Sequence, residues 1–213
     1  MQNRKKTTLL ILTLLIIALL SILICSCSLK SSSSPAKYTR GKITETGFES
    51  KWLNLRWSLP DGITMATEDE LDSLVDSSME IMVDENKQKA LDRSKTNLVY
   101  EMAAVDLNNA SSLLIITEKL ALKNITMETY IENCRELLKD TNLEIHFPYD
   151  ITTEEIVGEE YSKLTCVFLV DGLTIIQDQF LRKQGDRMIV ISITYNEDTV
   201  HIRDALMNAF TVY

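Results

Sequence analysis

Three strand-length stretches follow one another without interruption near the C-terminus: Ser162 to Val170, Leu173 to Arg182 and Arg187 to Tyr195. Leu164, Cys166, Phe168 and Val170 alternate with more polar neighbours, the period of a pleated strand. Asp171-Gly172 is a strong two-residue hairpin signal, and Gln184-Gly185 a looser one. Hairpin joints of two residues allow only antiparallel neighbours, so this part of the chain is an antiparallel meander. A shorter strand from about Glu154 to Gly158 leads into it.

The remaining pattern builds on that sheet. Asn97 to Leu107 and Ser112 to Leu120 read as strands joined by the polar Asn108-Asn109-Ala110-Ser111 turn. Leu113 to Ile116 is continuously apolar, as a strand covered on both faces would be. Ile43 to Ser50 and Leu55 to Leu59 read as a hairpin, with Leu55, Trp57 and Leu59 on one side and Pro60-Asp61-Gly62 as the closing turn. Thr67-Glu68-Asp69-Glu70 is a capping box. Leu71, Leu74, Val75, Met79 and Met82 then recur at helical spacing, which predicts a helix from about Glu68 to Asp84, continuing more weakly through Leu91. Thr126 caps a second helix ending near Asp140, with Ile125 and Tyr130 placed as a hydrophobic staple. A closing helix from Asp198 to Asn208 uses Ala205, Leu206 and Ala209 as its inner stripe, and Phe210 helps bury the chain end. Together these predict an α+β domain: an antiparallel sheet of six to seven strands flanked by helices on both faces.

Ahead of the domain lies a different kind of sequence. Arg4, Lys5 and Lys6 precede an apolar run from Leu9 to Cys25, broken only by Thr13 and Ser21. The run of about 17 residues exceeds the ~7–15 of an ordinary signal core and falls short of the ~20 of a membrane span. Cationic residues stay on the cytoplasmic side, so the chain beyond the run is expected outside. Ile24-Cys25-Ser26-Cys27 resembles the bacterial lipobox, with small Ser26 before Cys27. That resemblance implies removal of residues 1–26 as a signal peptide and a lipid on Cys27. An uncleaved single-pass helix is the other reading of the same run. Ser31 to Ser34 and Pro35 then form a polar tether over residues 27–37, leaving 38–213 as one globular domain.

The domain's layout is similar to the PsbP-like fold, shared by the photosystem II extrinsic protein, Mog-type Ran-binding proteins and DcrB-like bacterial lipoproteins. The likeness lies in the Leu55-Arg56-Trp57-Ser58-Leu59-Pro60-Asp61-Gly62 opening, the Thr126-to-Asp140 helix, the Asp171-Gly172 meander and the terminal helix ending in Ala209-Phe210. It implies a binding or assembly role without catalysis, and it carries over no functional residue.

Charge and chemistry narrow the function classes. The chain has 22 basic and 31 acidic residues, three of the basic ones in the leader, so the remainder is near −12. That argues against nucleic acid, and against an anionic headgroup surface bound through a broad basic face. His146, beside Phe147-Pro148 in an expected loop, and His201, in the last helix, are the only histidines. Glu68-Asp69-Glu70, Glu154-Glu155 and Glu159-Glu160 are adjacent carboxylates, and neighbours on a strand point to opposite faces. Asp106, Asn108 and Asn109 lack the Gly and terminal Glu of a calcium loop. Asn124-Ile125-Thr126 matches a glycosylation sequon, but Thr126 reads better as a cap. No metal site or cofactor is expected, and no Gly-rich phosphate loop, Gly-x-Ser-x-Gly elbow or His-Glu-x-x-His is present.

Cys134 and Cys166, both expected to face inward, are either two buried thiols or a disulfide formed outside the cell. Trp52, out of phase with Leu53, Leu55 and Trp57, either covers the core edge or anchors a partner. The expected protein is thus a membrane-anchored, extracytoplasmic lipoprotein, a non-catalytic binding or assembly module whose partner the sequence does not identify, an envelope protein being the candidate. A ligand-binding lipoprotein serving a transporter or sensor is the alternative, and an envelope hydrolase the third.

Overall fold

A computed structural model describes residues 37–67, 69–71, 97–106, 108–109, 111–139, 143–170 and 172–213. The apolar run, Cys27, the Ser-rich tether, the predicted helix apart from 69–71, and Asp171 lie outside the described residues.

Two antiparallel sheets carry the fold. In chain order the strands are β1 (Lys42–Thr44), β2 (Gly47–Ser50), β3 (Leu55–Ser58), β4 (Thr64–Met65), β5 (Leu98–Asp106) and β6 (Ser111–Lys119). Helix α1 (Met127–Lys139) comes next, then β7 (Glu144–His146), β8 (Thr152–Ile156), β9 (Glu159–Val170), β10 (Leu173–Gln184) and β11 (Arg187–Tyr195). A 3-10 turn at Glu197–Thr199 leads into helix α2 (Val200–Asn208) and the last strand, β12 (Phe210–Val212). The large sheet runs β4-β5-β6-β11-β10-β9-β7, with β8 also on β9, and the small one runs β1-β2-β3-β12. The architecture is α+β and antiparallel, as the hairpin signals require. Among the described residues the large sheet has eight strands, because short β4 and β7 extend it at opposite edges. His146 therefore stands on a strand, and not in the loop its Phe-Pro neighbours suggest.

Each face of the large sheet has its own core. On one, Tyr130, Ile131, Cys134 and Leu138 of α1 pack with Leu71 against Leu114, Ile116, Leu164, Phe168 and Val190. On the other, Phe48, Leu55 and Trp57 of the small sheet share the cover with Ile202 and Leu206 of α2, over Met102, Ile115, Phe180 and Ile191. Helices do lie over both faces, and the small sheet completes the second. Burying a Leu, Ile or Phe side chain is worth roughly 1.5–3 kcal/mol, so each face contributes heavily.

Three local readings change. Ile43 to Ser50 is itself a hairpin, β1 on β2, because Gly47 sits at φ +143 with its Cα against the Trp57 carbonyl. A Cβ there would lie 2.0 Å from that oxygen, so only glycine lets the chain turn back at this point. In α2 the inner stripe is Ile202 and Leu206, while Ala205 is exposed. The Asn196/Thr199 capping box closes the 3-10 turn that leads into the helix, and the Trp57 indole N–H donates to the Leu206 carbonyl at 2.9 Å, which sets its rotation. Phe210 buries the end as a strand, pairing with Trp57.

The strand directions give the large sheet two distinct ends. The near end holds the first described residues, the Lys51–Asn54 turn, Lys119 opposite Arg187, and the Gly185-Asp186 turn. The far end holds Asp106, Ser111, Gly172 and Tyr195. Nine residues of β11 separate them, about 27 Å at ~3.3 Å per residue.

Candidate functional site

At the far end, β11 stops before β10 does. Asn196 turns the chain out of the sheet: its side chain accepts from the Asp198 amide at 2.9 Å, and Thr199 Oγ1 accepts from the Asn196 amide at 2.9 Å. The last pair between the two strands is Ile176 with Tyr195, so Leu173, Thr174 and Ile175 continue past it, paired to β9. The gap is a cleft of about 190 Å³, lined by Leu173, Thr174, Ile175, Tyr195, Asn196, Glu197 and Asp198 together with Gly172. It is apolar along β10 and acidic along the departing chain.

A buried ionic cluster fixes the Tyr195 wall. Tyr195 donates to Asp178 Oδ2 at 3.2 Å, and Thr165 donates to Asp178 Oδ1 at 2.7 Å. Lys163 at 3.2 Å and Arg203 at 3.3 Å pair with the same carboxylate, which is 1% exposed. Both cations also reach Glu154, at 3.4 and 3.5 Å. Burial, then the Asp178 charge, pushes the Tyr195 hydroxyl well above the ordinary tyrosine range, so it stays a neutral donor. Two carboxylates against two cations, drawn from β8, β9, β10 and α2, clamp α2 and one cleft wall to the sheet.

Behind Ile175 a polar stripe crosses the face of the sheet beneath α1. Ser112, Thr194, Gln177 and Cys166 stand side by side on four strands, with Ser192 and Gln179 in the next row. All are buried. Gln177 donates to Thr194 at 3.2 Å and Gln179 to Gln177 at 2.5 Å. Among the described residues, the buried hydroxyls of Ser112 and Ser192 and the buried Gln179 carbonyl have no hydrogen-bond partner. Orphaned polar atoms on one face of a core are exceptional in native structures. Sequence pattern alone misses this stripe, because it exists only once the register sets these residues abreast.

Of the residues singled out in the sequence, Cys166 stands in the stripe and Glu154 in the ionic cluster, and the others lie elsewhere. Trp52 is 8% exposed at the near end, edge-on to Tyr38 at 5.1 Å, and its carbonyl accepts from Gln184 Nε2 at 2.8 Å. Cys134 and Cys166 are buried in one core cluster, and burial raises both thiols well above the ordinary range. His146 sits beside Glu144 at 3.3 Å, and His201 is exposed on α2. Glu159 pairs with Arg182 at 2.9 Å. Asp106 closes its own turn, accepting from the amides of Asn108 at 2.8 Å and Asn109 at 3.2 Å, which explains that acidic-amide run. Among the described residues, no group of three or more His, Cys, Asp or Glu is placed to hold a metal ion.

No protein-family model matches the chain, and no curated protein matches it. Among solved structures, a Pseudomonas aeruginosa protein of unknown function, described as a putative regulator, aligns at 12% identity and TM-score 0.36, over 44% of this chain and 66% of its own. This chain thus spans just under two thirds of that protein. The cyanobacterial PsbP, CyanoP, from Synechocystis sp. PCC 6803 aligns at 10% identity and TM-score 0.45, over 86% of this chain and 98% of its own. LpqN of Mycobacterium tuberculosis, involved in cell envelope biogenesis, aligns at 10% identity and TM-score 0.43, over 74% and 82%. At these scores the likenesses assign this chain neither a family nor an activity.

Proposed function

We propose that this chain is an extracytoplasmic, membrane-anchored, non-catalytic binding module that presents its far-end cleft to a partner in the cell envelope. The carrying observation is the position of the cleft, one sheet length from the point where the N-terminal segment joins the domain. With a lipid on Cys27, the segment to Lys37 reaches at most about 35 Å at ~3.5 Å per residue. The module then stands close to the bilayer with the cleft turned outward. Glu197 and Asp198 on its rim favour a partner group rich in hydrogen-bond donors or positive charge.

Photo-crosslinking in intact cells tests the reading. A photoreactive residue at Leu173, which is 49% exposed beside the cleft, is expected to capture one discrete protein. That adduct should fade when Glu197 and Asp198 are both replaced by Lys. Capture of nothing from Leu173, alongside discrete capture from another face, ends the proposal. The anchor has its own test in the mass of the mature N-terminus: an acylated Cys27 start supports it, while an intact Met1 leaves a transmembrane anchor.

A small-molecule reading is favoured by the buried stripe behind Ile175. It calls for an uncharged ligand, since the orphaned atoms are two hydroxyls and an amide carbonyl.

A further inference from the structure

The near end of the domain gathers positive charge to a degree the composition conceals. Four segments meet there: residues 37–42, the 51–54 turn, the 119–126 loop and the 183–187 turn. The contacts that bring them together are specific. Leu120 N–H donates to the Asp186 carbonyl at 2.8 Å, and Lys183 donates to the Ile125 carbonyl at 3.0 Å. Gln184 holds the Trp52 carbonyl, and the Arg187 guanidinium lies 3.6 Å over the Tyr38 ring. Within these segments Lys37, Arg40, Lys42, Lys51, Lys119, Lys123, Lys183 and Arg187 are basic, and Asp186 alone is acidic. All but Lys183 and Arg187 of the basic residues are exposed. The far end reverses the sign, with Asp106, Glu144, Glu197 and Asp198 and, among the described residues that line the cleft, no Lys or Arg.

We infer that this basic end docks on an anionic bilayer surface, holding the domain upright with its acidic cleft away from the membrane. The inference rests on the anchored reading above. Two observations select lipid as the occupant. The segment carrying Leu9 to Cys25 and Cys27 joins the domain at this end, through Tyr38 and Gly41, which donate to Glu101 at 2.6 and 2.9 Å. The charge distribution is also suited to a planar anionic surface. Screening limits attraction to about a Debye length, ~8 Å at physiological salt, so only charges at the near end feel the headgroups. Glu155, Glu159 and Glu160 of the β8–β9 turn share the near end, where Glu159 pairs with Arg182 at 2.9 Å, and eight basic residues outnumber them together with Asp186; the acidic far end is repelled and adds to the orientation. Net charge near −12 argues against a broad basic face, but a single tethered end needs only local charge.

The test uses the full chain in nanodiscs of phosphatidylcholine alone or mixed with phosphatidylglycerol, each doped with a dansyl lipid. Energy transfer from Trp52 and Trp57 to dansyl reports how near this end lies to the surface. Transfer is expected to rise on the anionic discs and to fall back at high salt. The Lys51→Glu, Lys119→Glu, Lys123→Glu variant should lose the rise while keeping a wild-type circular dichroism spectrum. The milder Lys→Gln triple should lose most of it, and serves if charge reversal impairs folding. Equal transfer on both discs, or a rise that survives both triples, overturns the docking and leaves the anchor standing. A chain that stays with neither disc through gel filtration overturns the anchor and the docking together.

Discussion

Glu118 lies on β6 with 5% of its surface exposed, and its carboxylate accepts from the Tyr130 hydroxyl at 2.6 Å. Burial lifts its pKa to about 7, and the Tyr130 hydrogen bond works in the opposite direction. An acid that holds its proton more tightly when folded stabilises fully below its unfolded pKa, about 4.3, and that contribution disappears as pH rises through about 7. The wild type is therefore expected to lose about 1–3 kcal/mol of urea-measured stability between pH 5 and pH 8 at this one residue, whereas Glu118→Gln flattens that dependence. Asp178 is a buried carboxylate whose partners are in place, Lys163 at 3.2 Å and Arg203 at 3.3 Å. Asp178→Ala leaves Lys163 and Arg203 sharing Glu154 alone of the two carboxylates, beside an emptied buried position, and is expected to lower the unfolding free energy by about 3 kcal/mol. Adding Lys163→Met should recover part of that loss. Each residue was visible in the sequence as one charge among many, but the pairing was not, since Lys163, Asp178 and Arg203 are brought together by register and by the seating of α2.

At the scale of elements, hairpins were the most readable part. Arg187 to Tyr195 forms the strand expected, and Gly172, at φ +79, stands in the two-residue joint between β9 and β10. The Thr67 box is also present, Thr67 N–H donating to Glu70 at 2.8 Å, as is the Thr126 cap, whose Oγ1 accepts from the Thr129 amide at 3.2 Å. These signals are local, so a local reading finds them. The turn at Gly47 was missed because its cause is the Trp57 carbonyl, ten residues away in sequence. Gly47→Ala is expected to destabilise the domain by at least about 2 kcal/mol, read as a lowered thermal midpoint, since left-handed strain and the clash with that carbonyl act together. Glu101 shows the same limit. The register shift between Tyr100 and Met102 makes it the extra residue of a bulge, which turns its carboxylate toward Tyr38, Gly41 and Thr117.

For the whole molecule, that bulge is where the N-terminal segment takes hold. Glu101 accepts three hydrogen bonds and is 2% exposed, and burial followed by this carboxylate raises the Tyr38 pKa to about 12. Glu101→Ala is expected to loosen residues 38–41 before the core, giving trypsin faster access at Arg40 while the thermal transition stays cooperative. Faster cleavage spread evenly along the chain would instead place Glu101 in the global fold. The distinction matters because a firm attachment sets which end faces the membrane, and so which way the cleft points.

By itself the sequence determined the antiparallel α+β class, the helix caps and most hairpins, because these depend on side-chain period and turn chemistry within a few residues. It also supplied the expectation of an anchored N-terminus, through charge, apolar length and Cys27. Tertiary structure alone decided the Asp178 cluster, the buried stripe and the cleft left where β11 turns away at Asn196. It alone also sorted an acidic composition into a basic near end and an acidic far end. The physical reason is common to all four: each depends on which residues of distant segments stand abreast, and strand register and helix seating are settled by packing the whole core at once.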